Sequence, residues 1–212
     1  MEITTNTSRA PAINTDRLAF VPLTLDTDST LTYGEVTELA KSMVSVQRNP
    51  TQNSAKMFAS GQAIASYVAK SGGQLQITLP SLSSEDEVLL FGKKLDADTS
   101  ALSNNKDDIV PALMAIYSTV RSDGTRNLYK VMKIKFQEGA ETVETSDDSG
   151  VKFQSLQISG SYEQLIKTGD DVIVVKGVNP ETEEGKAKIE AWFGSALSGL
   201  PAGKYPIEGG GE

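Results

Sequence analysis

Two short segments of this sequence alternate between polar and apolar residues, and this period of two constrains the fold more than any other feature. The segments are residues 74–79 and 153–163. Successive side chains of a β-strand point to opposite faces of a sheet, so each segment predicts a strand with one buried face. Between the two segments, Asp123 and Gly124 separate two apolar runs and predict a tight hairpin. Hairpin connections favour antiparallel sheets.

The alternation also assigns side chains to a core face and to an exposed face. In the second segment, Leu156, Ile158 and Tyr162 are expected in the core. Near the C-terminus, Trp192 and Phe193 lie at helical spacing and are also expected to face the core. The other face of the two strands presents only uncharged polar residues, which are Gln74, Gln76, Thr78, Gln157, Ser159 and Ser161.

Two helices are predicted from their start signals. Ser84 is followed three residues later by Glu87, which is a capping-box pattern, and Gly92 is a natural stop, so we expect a helix over residues 84–91. Asn179, followed by a proline and an acid, predicts the start of a second helix near the C-terminus. The chain is therefore expected to be mainly β, with a short central helix and a C-terminal helix.

The remaining strands are less regular. In the first of them, Pro22 marks a sheet edge or a bulge, because proline has no N–H to donate. The turn-forming cluster 49–53 predicts a hairpin between the runs that flank it. The long polar stretch 93–109 predicts an exposed loop. The apolar-rich runs that predict these strands are residues 18–25, 43–48, 55–59, 112–121, 128–137 and 172–175.

These patterns divide the chain into three parts. Residues 1–17 are expected to form a polar N-terminal arm. Residues 18–200 form the β domain, which includes the long loop 93–109. Residues 201–212 contain three consecutive glycines and predict a flexible tail.

The chain contains no cysteine and no histidine. Disulfides and thiolate metal sites are thereby excluded, and the usual general base is missing. Asp26 and Asp28 have the spacing of a phosphatase motif, but such enzymes need a parallel sheet with crossover helices. The acidic residues Glu144, Asp147 and Asp148 could hold Ca²⁺ or could belong to a solvated loop. We therefore expect a protein that is not an enzyme and that has no cofactor.

The charge balance disfavours nucleic-acid binding. The chain has 20 basic and 28 acidic residues, a net charge of −8, and no dense basic cluster. A protein that grips nucleic acid through phosphates needs such a cluster. The sequence also has no apolar run near the roughly 20 residues that span a membrane, so we expect no membrane partner.

The central part of the chain resembles a known family. A turn-linked strand pair over residues 117–130 leads to Ile134, Lys135 and Phe136. After the acidic stretch, residues 151–160 read Val-Lys-Phe-Gln-Ser-Leu-Gln-Ile-Ser-Gly. In this order, the segments resemble the major tail proteins of siphophages that infect Gram-positive bacteria. The resemblance extends over roughly residues 18–197.

This resemblance implies a tail-tube fold of two packed antiparallel sheets with a flanking helix. It implies a structural protein of the virion that is made in the cytoplasm of the infected bacterium. Hexameric rings would stack into a tail tube around the tape-measure protein, and the tail-terminator and tail-tip proteins would be further partners. During ejection, DNA would pass through the bore without specific binding, and no catalytic residues are implied.

The six uncharged side chains listed above are our candidates for the lining of the bore, because a wall that does not bind phosphates lets DNA pass. We expect acidic side chains from neighbouring strands or loops to repel the DNA at short range. The alternative function is a monomeric β-sandwich module that binds a ligand through its loops, as an adhesin does. Self-association separates the two interpretations.

Overall fold

The computed structural model describes residues 9–39, 43–59, 62–139, 155–201 and 203–205. Over these ranges, the chain is mainly β and has two helices, as the sequence predicts. The helices are α1 (Ser84–Phe91) and α2 (Glu183–Gly194). The strands are β1 (Ala12–Asp26), β2 (Leu31–Tyr33), β3 (Thr37–Leu39), β4 (Ser45–Ala59), β5 (Gln62–Leu79), β6 (Lys94–Leu95), β7 (Leu102–Ser103), β8 (Leu113–Arg121), β9 (Arg126–Gln137), β10 (Leu156–Tyr162) and β11 (Val172–Val178).

Nine of these strands form one hydrogen-bonded antiparallel sheet. Its order is β2-β1-β8-β9-β10-β5-β4, while β3 also pairs with β1 and β11 also pairs with β9. Strands β6 and β7 form a separate small sheet inside the stretch that was expected to be a loop. The expected pair of large sheets is thus replaced by one sheet. The reason is that β9 is long enough to pair with β11 over its first half and with β10 over its second half.

Pro22 lies inside this sheet, so the prediction that it marks an edge is wrong. On one side of β1, Pro22 is in register with Leu113 of β8. On the other side, the pairing with β3 ends at Phe20 and the pairing with β2 begins at Leu23. Proline, which has no N–H, therefore falls where β1 changes partner. The register shift that follows between Leu23 and Leu25 agrees with the second expectation, a bulge.

The sheet buries apolar side chains on both faces of its central strands. Leu18 and Phe20 of β1 enter one core cluster, whereas Ala19 and Val21 enter the other. Helix α1 packs against the first cluster and α2 packs against the second. Of the residues predicted to be in the core, four are at most 3% exposed and Leu156 is half-buried. The four are Ile158, Tyr162, Trp192 and Phe193.

Helix α1 occupies the predicted range, but its cap lies one residue earlier than predicted. Ser83 caps the helix and forms a capping box with Asp86, in place of the expected pair of Ser84 and Glu87. Two adjacent serines and three consecutive acids permit either register, so the pattern alone does not choose between them. At the other end, Gly92 adopts the left-handed conformation of a helix stop, with φ of 72°.

Helix α2 begins later than predicted. Its cap is Thr182, whose side chain accepts a hydrogen bond from the N–H of Gly185. The side chain of Asn179 instead accepts from the N–H of Glu181, which forms a turn before the helix. Asparagine favours such local turns as strongly as it favours caps, which explains the wrong start.

The hairpin that was predicted around residues 49–53 is absent, because β4 runs through this cluster without a turn. The pairing of β4 with β5 shifts register between Pro50 and Gln52, and the chain reverses direction between Ala59 and Gln62. In the part of the chain that the structure describes, β4 is the last strand of the sheet. A proline is tolerated in an edge strand, especially at a bulge.

Beyond this bulge, the two strands pair only with each other within the described residues. We call the paired residues Gln52–Ala59 and Gln62–Lys70 the projecting hairpin, and the remaining described residues the body. Strand β10 pairs with β5 only from Gly73 onward. At this boundary Gly72 has φ of 81°, and a Cβ atom built there would lie 2.0 Å from the carbonyl oxygen of Tyr162. The glycine allows the backbone to pass close to β10.

The two predicted termini are more ordered than expected where they are described. Strand β1 already begins at Ala12, within the expected N-terminal arm. Tyr205, within the expected flexible tail, is 1% exposed and belongs to the second core cluster. Residues 1–8, the stretch 140–154 with Phe153 and its acidic residues, and residues 206–212 lie outside the described residues. Neither α1 nor α2 is long and apolar enough to cross a membrane.

Candidate functional site

The six uncharged side chains that were predicted to line a bore lie on two neighbouring strands, in direct register. Each is exposed or half-buried. The residues that alternate with them, such as Ile77 and Ile158, are fully buried in the first core cluster. Side chains directly opposite each other across a strand pair share one face of the sheet. The pairs are Gln157 with Thr78, Ser159 with Gln76, and Ser161 with Gln74.

Strand β4 extends this surface by a third row that the sequence did not reveal. Ser45, Gln47 and Asn49 are exposed and lie opposite the three residues of β5. The hydroxyl of Ser45 donates to the hydroxyl of Thr78 over 2.9 Å. We call the nine side chains the polar face; they are Ser45, Gln47, Asn49, Gln74, Gln76, Thr78, Gln157, Ser159 and Ser161.

Arg48 interrupts the alternation in β4, and for that reason the third row was missed. Its guanidinium donates to the hydroxyl of Tyr162 over 3.4 Å, on the core side of the sheet. Burial has the largest single effect on the pKa of Arg48 and lowers it, but the hydrogen bond with Tyr162 and the electrostatic attraction of Tyr162, Tyr117 and Asp171 together raise this pKa. The charge is therefore held beneath the polar face, and the face itself is left uncharged.

On one side, the polar face is bordered by a basic strand. Lys135 of β9 is exposed and lies opposite Ser161, and Gln137 lies opposite Ser159. The next lysine on this strand, Lys133, makes an ion pair of 3.2 Å with Asp26. The expectation that neighbouring strands supply acidic side chains is therefore wrong for β9. The acidic residues of the stretch 140–154 lie outside the described residues.

On the other side, the polar face ends at the edge strand β4 in the part of the chain that the structure describes. The N–H and C=O groups on the outer side of an edge strand form a template on which another strand can pair. The polar face thus has one margin that is closed by β9 and one margin that can be extended by another chain.

Lys130 is a buried cation whose importance the sequence does not signal. Its Nζ donates to the carbonyl oxygens of Ser195, Ala196 and Ser198, over 3.0, 2.7 and 2.8 Å, and lies 4.7 Å from the ring centre of Trp192. Burial lowers the pKa of Lys130 to about 7, whereas the three carbonyl oxygens favour its charged form. With all three donors in use, Lys130 joins β9 to the segment that follows α2.

The aspartates of the phosphatase-like spacing do not form a shared site. Asp26 accepts hydrogen bonds from the N–H of Ile166 and from Lys133, over 3.0 and 3.2 Å. Asp28 is exposed in the turn that follows β1. Within the described ranges, no group of three or more acidic residues is placed to hold a metal ion. The possible Ca²⁺ ligands Glu144, Asp147 and Asp148 lie outside these ranges.

Two of the three strands of the polar face, β4 and β5, belong to a long segment without acidic residues. Between Glu38 and Glu85 the chain has four basic residues and no acidic one. The rest of the chain therefore has 16 basic and 28 acidic residues, a net charge of −12. This asymmetry is visible in the sequence, but the sum over the whole chain hides it. The four basic residues are Lys41, Arg48, Lys56 and Lys70.

No family model matches this chain, and no curated protein matches it significantly.

Proposed function

We propose that this chain is a tail tube protein of a siphophage, a structural protein of the virion that assembles into stacked rings around the path of DNA. The observation that supports this function best is the polar face, nine uncharged side chains in register on three adjacent strands. The apolar undersides of the same strands are fixed in the core, so the polar face is a permanent outer surface of the body.

An uncharged polar surface suits a conduit for DNA. Lysine and arginine would bind phosphates and release counterions, which would hold the DNA in place. Amide and hydroxyl groups lack that attraction and remain well hydrated. In this proposal the lining comprises β4, β5 and β10. It stops before β9, because Lys135 on that strand would attract phosphates.

The edge strand β4 provides a way to close a ring. Pairing between β4 and a strand of the next copy would continue the polar face from one subunit to the next. The resemblance to siphophage tail proteins suggests a hexameric ring, with the tape-measure protein inside the tube and the tail-terminator and tail-tip proteins at its ends. DNA would pass through without specific binding.

Negative-stain images of the concentrated protein test the assembly. Rings or tubes are the expected result, and sedimentation velocity should show species much larger than the 22.6 kDa of one chain. A protein that stays monomeric at every concentration, alone and with tail partners, would contradict the proposal. It would favour the alternative function, a monomeric module that binds a ligand through its loops.

Charge substitution tests the lining. Gln157→Lys with Ser159→Lys places two cations on the polar face, and we expect the assembled tube to gain DNA affinity and ejection to slow. As a matched control, Ser29→Lys with Ala187→Lys adds the same charge at exposed positions outside the polar face. If both pairs change DNA affinity equally, the polar face is not the lining.

A further inference from the structure

The projecting hairpin exposes apolar side chains that nothing in the described structure covers. Of the ten large apolar side chains that are exposed among the described residues, four lie in this hairpin, and they are between 55 and 71% exposed. Neither core cluster contains any of the hairpin residues whose side chains the structure describes. An isolated two-stranded hairpin is only marginally stable in water, so a partner surface would stabilise it. The four side chains are Met57, Ile64, Tyr67 and Val68.

The hairpin is also basic. It lies wholly within the acid-free segment and contains Lys56, which is exposed, and Lys70. An apolar surface with positive charge and no negative charge is complementary to an apolar surface with negative charge. Any partner of the hairpin should therefore be acidic.

The opposite end of the body has this complementary character. Strand β5 runs from the hairpin through Gly73 to Leu79, and the chain then enters α1 and the small sheet of β6 and β7. We call residues 80–111 the distal end. It has seven acidic and three basic residues. Among its side chains, Leu95 and Ile109 are 38 and 83% exposed.

We infer that the projecting hairpin of one copy docks on the distal end of a second copy. The basic and apolar surface of the hairpin would meet the acidic and apolar surface of the distal end. The two surfaces lie at opposite ends of β5, so the contact is head-to-tail and each copy keeps one free hairpin and one free distal end. Contacts of this kind repeat along an axis unless they close into a ring.

This inference rests on the proposed assembly into stacked rings, and it supplies the contact between one ring and the next. It differs from the pairing of β4 edges, because the docking surfaces are side chains whose charges can be reversed. The contact should therefore weaken with salt, since the screening length falls from about 10 Å at 0.1 M to about 3 Å at 1 M.

Cross-linking between copies tests the contact directly, and the absence of native cysteines makes the reaction specific. Two full-length variants, Met57→Cys in the hairpin and Asp98→Cys at the distal end, are mixed and treated with a short bis-maleimide. We expect a cross-linked dimer between them at low salt, and little at 1 M salt. The control replaces Asp98→Cys with Lys188→Cys, which lies exposed on α2. Equal yields for the two mixtures would overturn the inference.

Charge reversal then tests the complementarity. Adding Lys56→Glu and Lys70→Glu to the hairpin variant should lower the yield about tenfold, because each reversal replaces an attraction with a repulsion. Adding Glu85→Lys and Asp107→Lys to the distal-end variant should restore it. Reversal of Lys176 and Lys188, two exposed lysines of the body, is the matched control and should leave the yield unchanged.

The outcomes distinguish this inference from the proposed function. Tubes that form without any Met57→Cys to Asp98→Cys cross-link would overturn the docking and leave the tube proposal intact. Specific, charge-dependent cross-links in a protein that never forms rings or tubes would support the docking and contradict the tube proposal. Absence of both cross-links and assembly would overturn both.

Discussion

The body and the projecting hairpin are built from the same two strands, yet they differ in what stabilises them. In the body, β5 alternates between core residues and the polar face, and Leu75, Ile77 and Leu79 are fully buried. In the hairpin, the same strand exposes the consecutive residues Tyr67 and Val68, whose side chains point to opposite sides. Backbone pairing continues through both regions. Burial of side chains, and not strand pairing, therefore distinguishes the body from the projecting hairpin.

Removing the three hydrogen bonds that Lys130 donates should have the largest effect on the stability of the body. Lys130→Met keeps the apolar stem but leaves three carbonyl oxygens without their donor, so we expect the free energy of unfolding to fall by about 3 kcal/mol. Urea denaturation measures this change. Lys188→Met, on the exposed side of α2, is the control and should change stability by less than about 0.5 kcal/mol. A loss below about 1 kcal/mol for Lys130→Met would show that the three hydrogen bonds of Lys130 contribute little to stability.

The next largest loss of stability is expected from a substitution at the boundary between the body and the projecting hairpin. Gly72→Ala places a Cβ against the carbonyl of Tyr162, and we expect a loss of about 2 kcal/mol. Gly124→Ala is a matched control, because Gly124 has φ of 80° but nothing within 4 Å of its Cβ position. It should lose only about 1 kcal/mol, from backbone strain alone. Equal losses would mean that the close approach to β10 contributes nothing.

A smaller, pH-dependent effect is expected within the body. The hydrogen bond from Arg17 lowers the pKa of Glu38 below its ordinary value of 4.5. The folded state therefore binds fewer protons than the unfolded state, so this stabilisation is complete above pH 4.5 and is lost as pH falls through the lowered pKa. The pair is partly exposed, so the contribution should stay below about 1 kcal/mol.

Glu38→Gln tests this effect through the pH dependence of urea denaturation. The difference in stability between the variant and the unmodified protein should be present at pH 7 and should shrink in acid. High salt should reduce the difference at pH 7. A difference that is independent of pH would assign the role of Glu38 to packing.

The smallest effect on stability is expected in the hairpin. Tyr67→Ser removes a side chain that is 71% exposed, so the free energy of unfolding should change by at most about 0.5 kcal/mol. Assembly, measured by sedimentation, should nevertheless weaken. Ile166→Ser removes an apolar side chain that is 55% exposed on the body, and it should leave assembly unchanged. If Tyr67→Ser unfolded the protein, the two regions would share one core.

The parts of the fold that the sequence predicts well are those in which local signals agree with burial. Asp123 and Gly124 do form the turn between β8 and β9, and Gly124 adopts the positive φ that such a turn requires. The alternation in β5 and β10 placed six side chains on one face of the sheet. It could do so because a strand with one buried face fixes both sides at once.

The sequence gives weaker guidance where tertiary context overrides a local signal. Pro50 and its polar neighbours predict a turn, but an edge strand with a bulge accommodates them. In the sequence, nothing distinguishes Lys130 from an ordinary polar residue of a strand. The carbonyl groups that accept its hydrogen bonds come from a segment more than 60 residues away. The projecting hairpin could have been suspected from the acid-free segment, but its exposure depends on where β10 stops pairing.

The continuity of β5 also has a mechanical consequence. Strand β5 is unbroken from the hairpin into the body, where it makes seven pairs with β10. Ladder hydrogen bonds lie perpendicular to the strands, so tension along β5 loads these pairs together in shear. Tension across the strand would instead open them one after another. A pull on the hairpin along its own axis is therefore transmitted to the body through the strongest direction of the sheet.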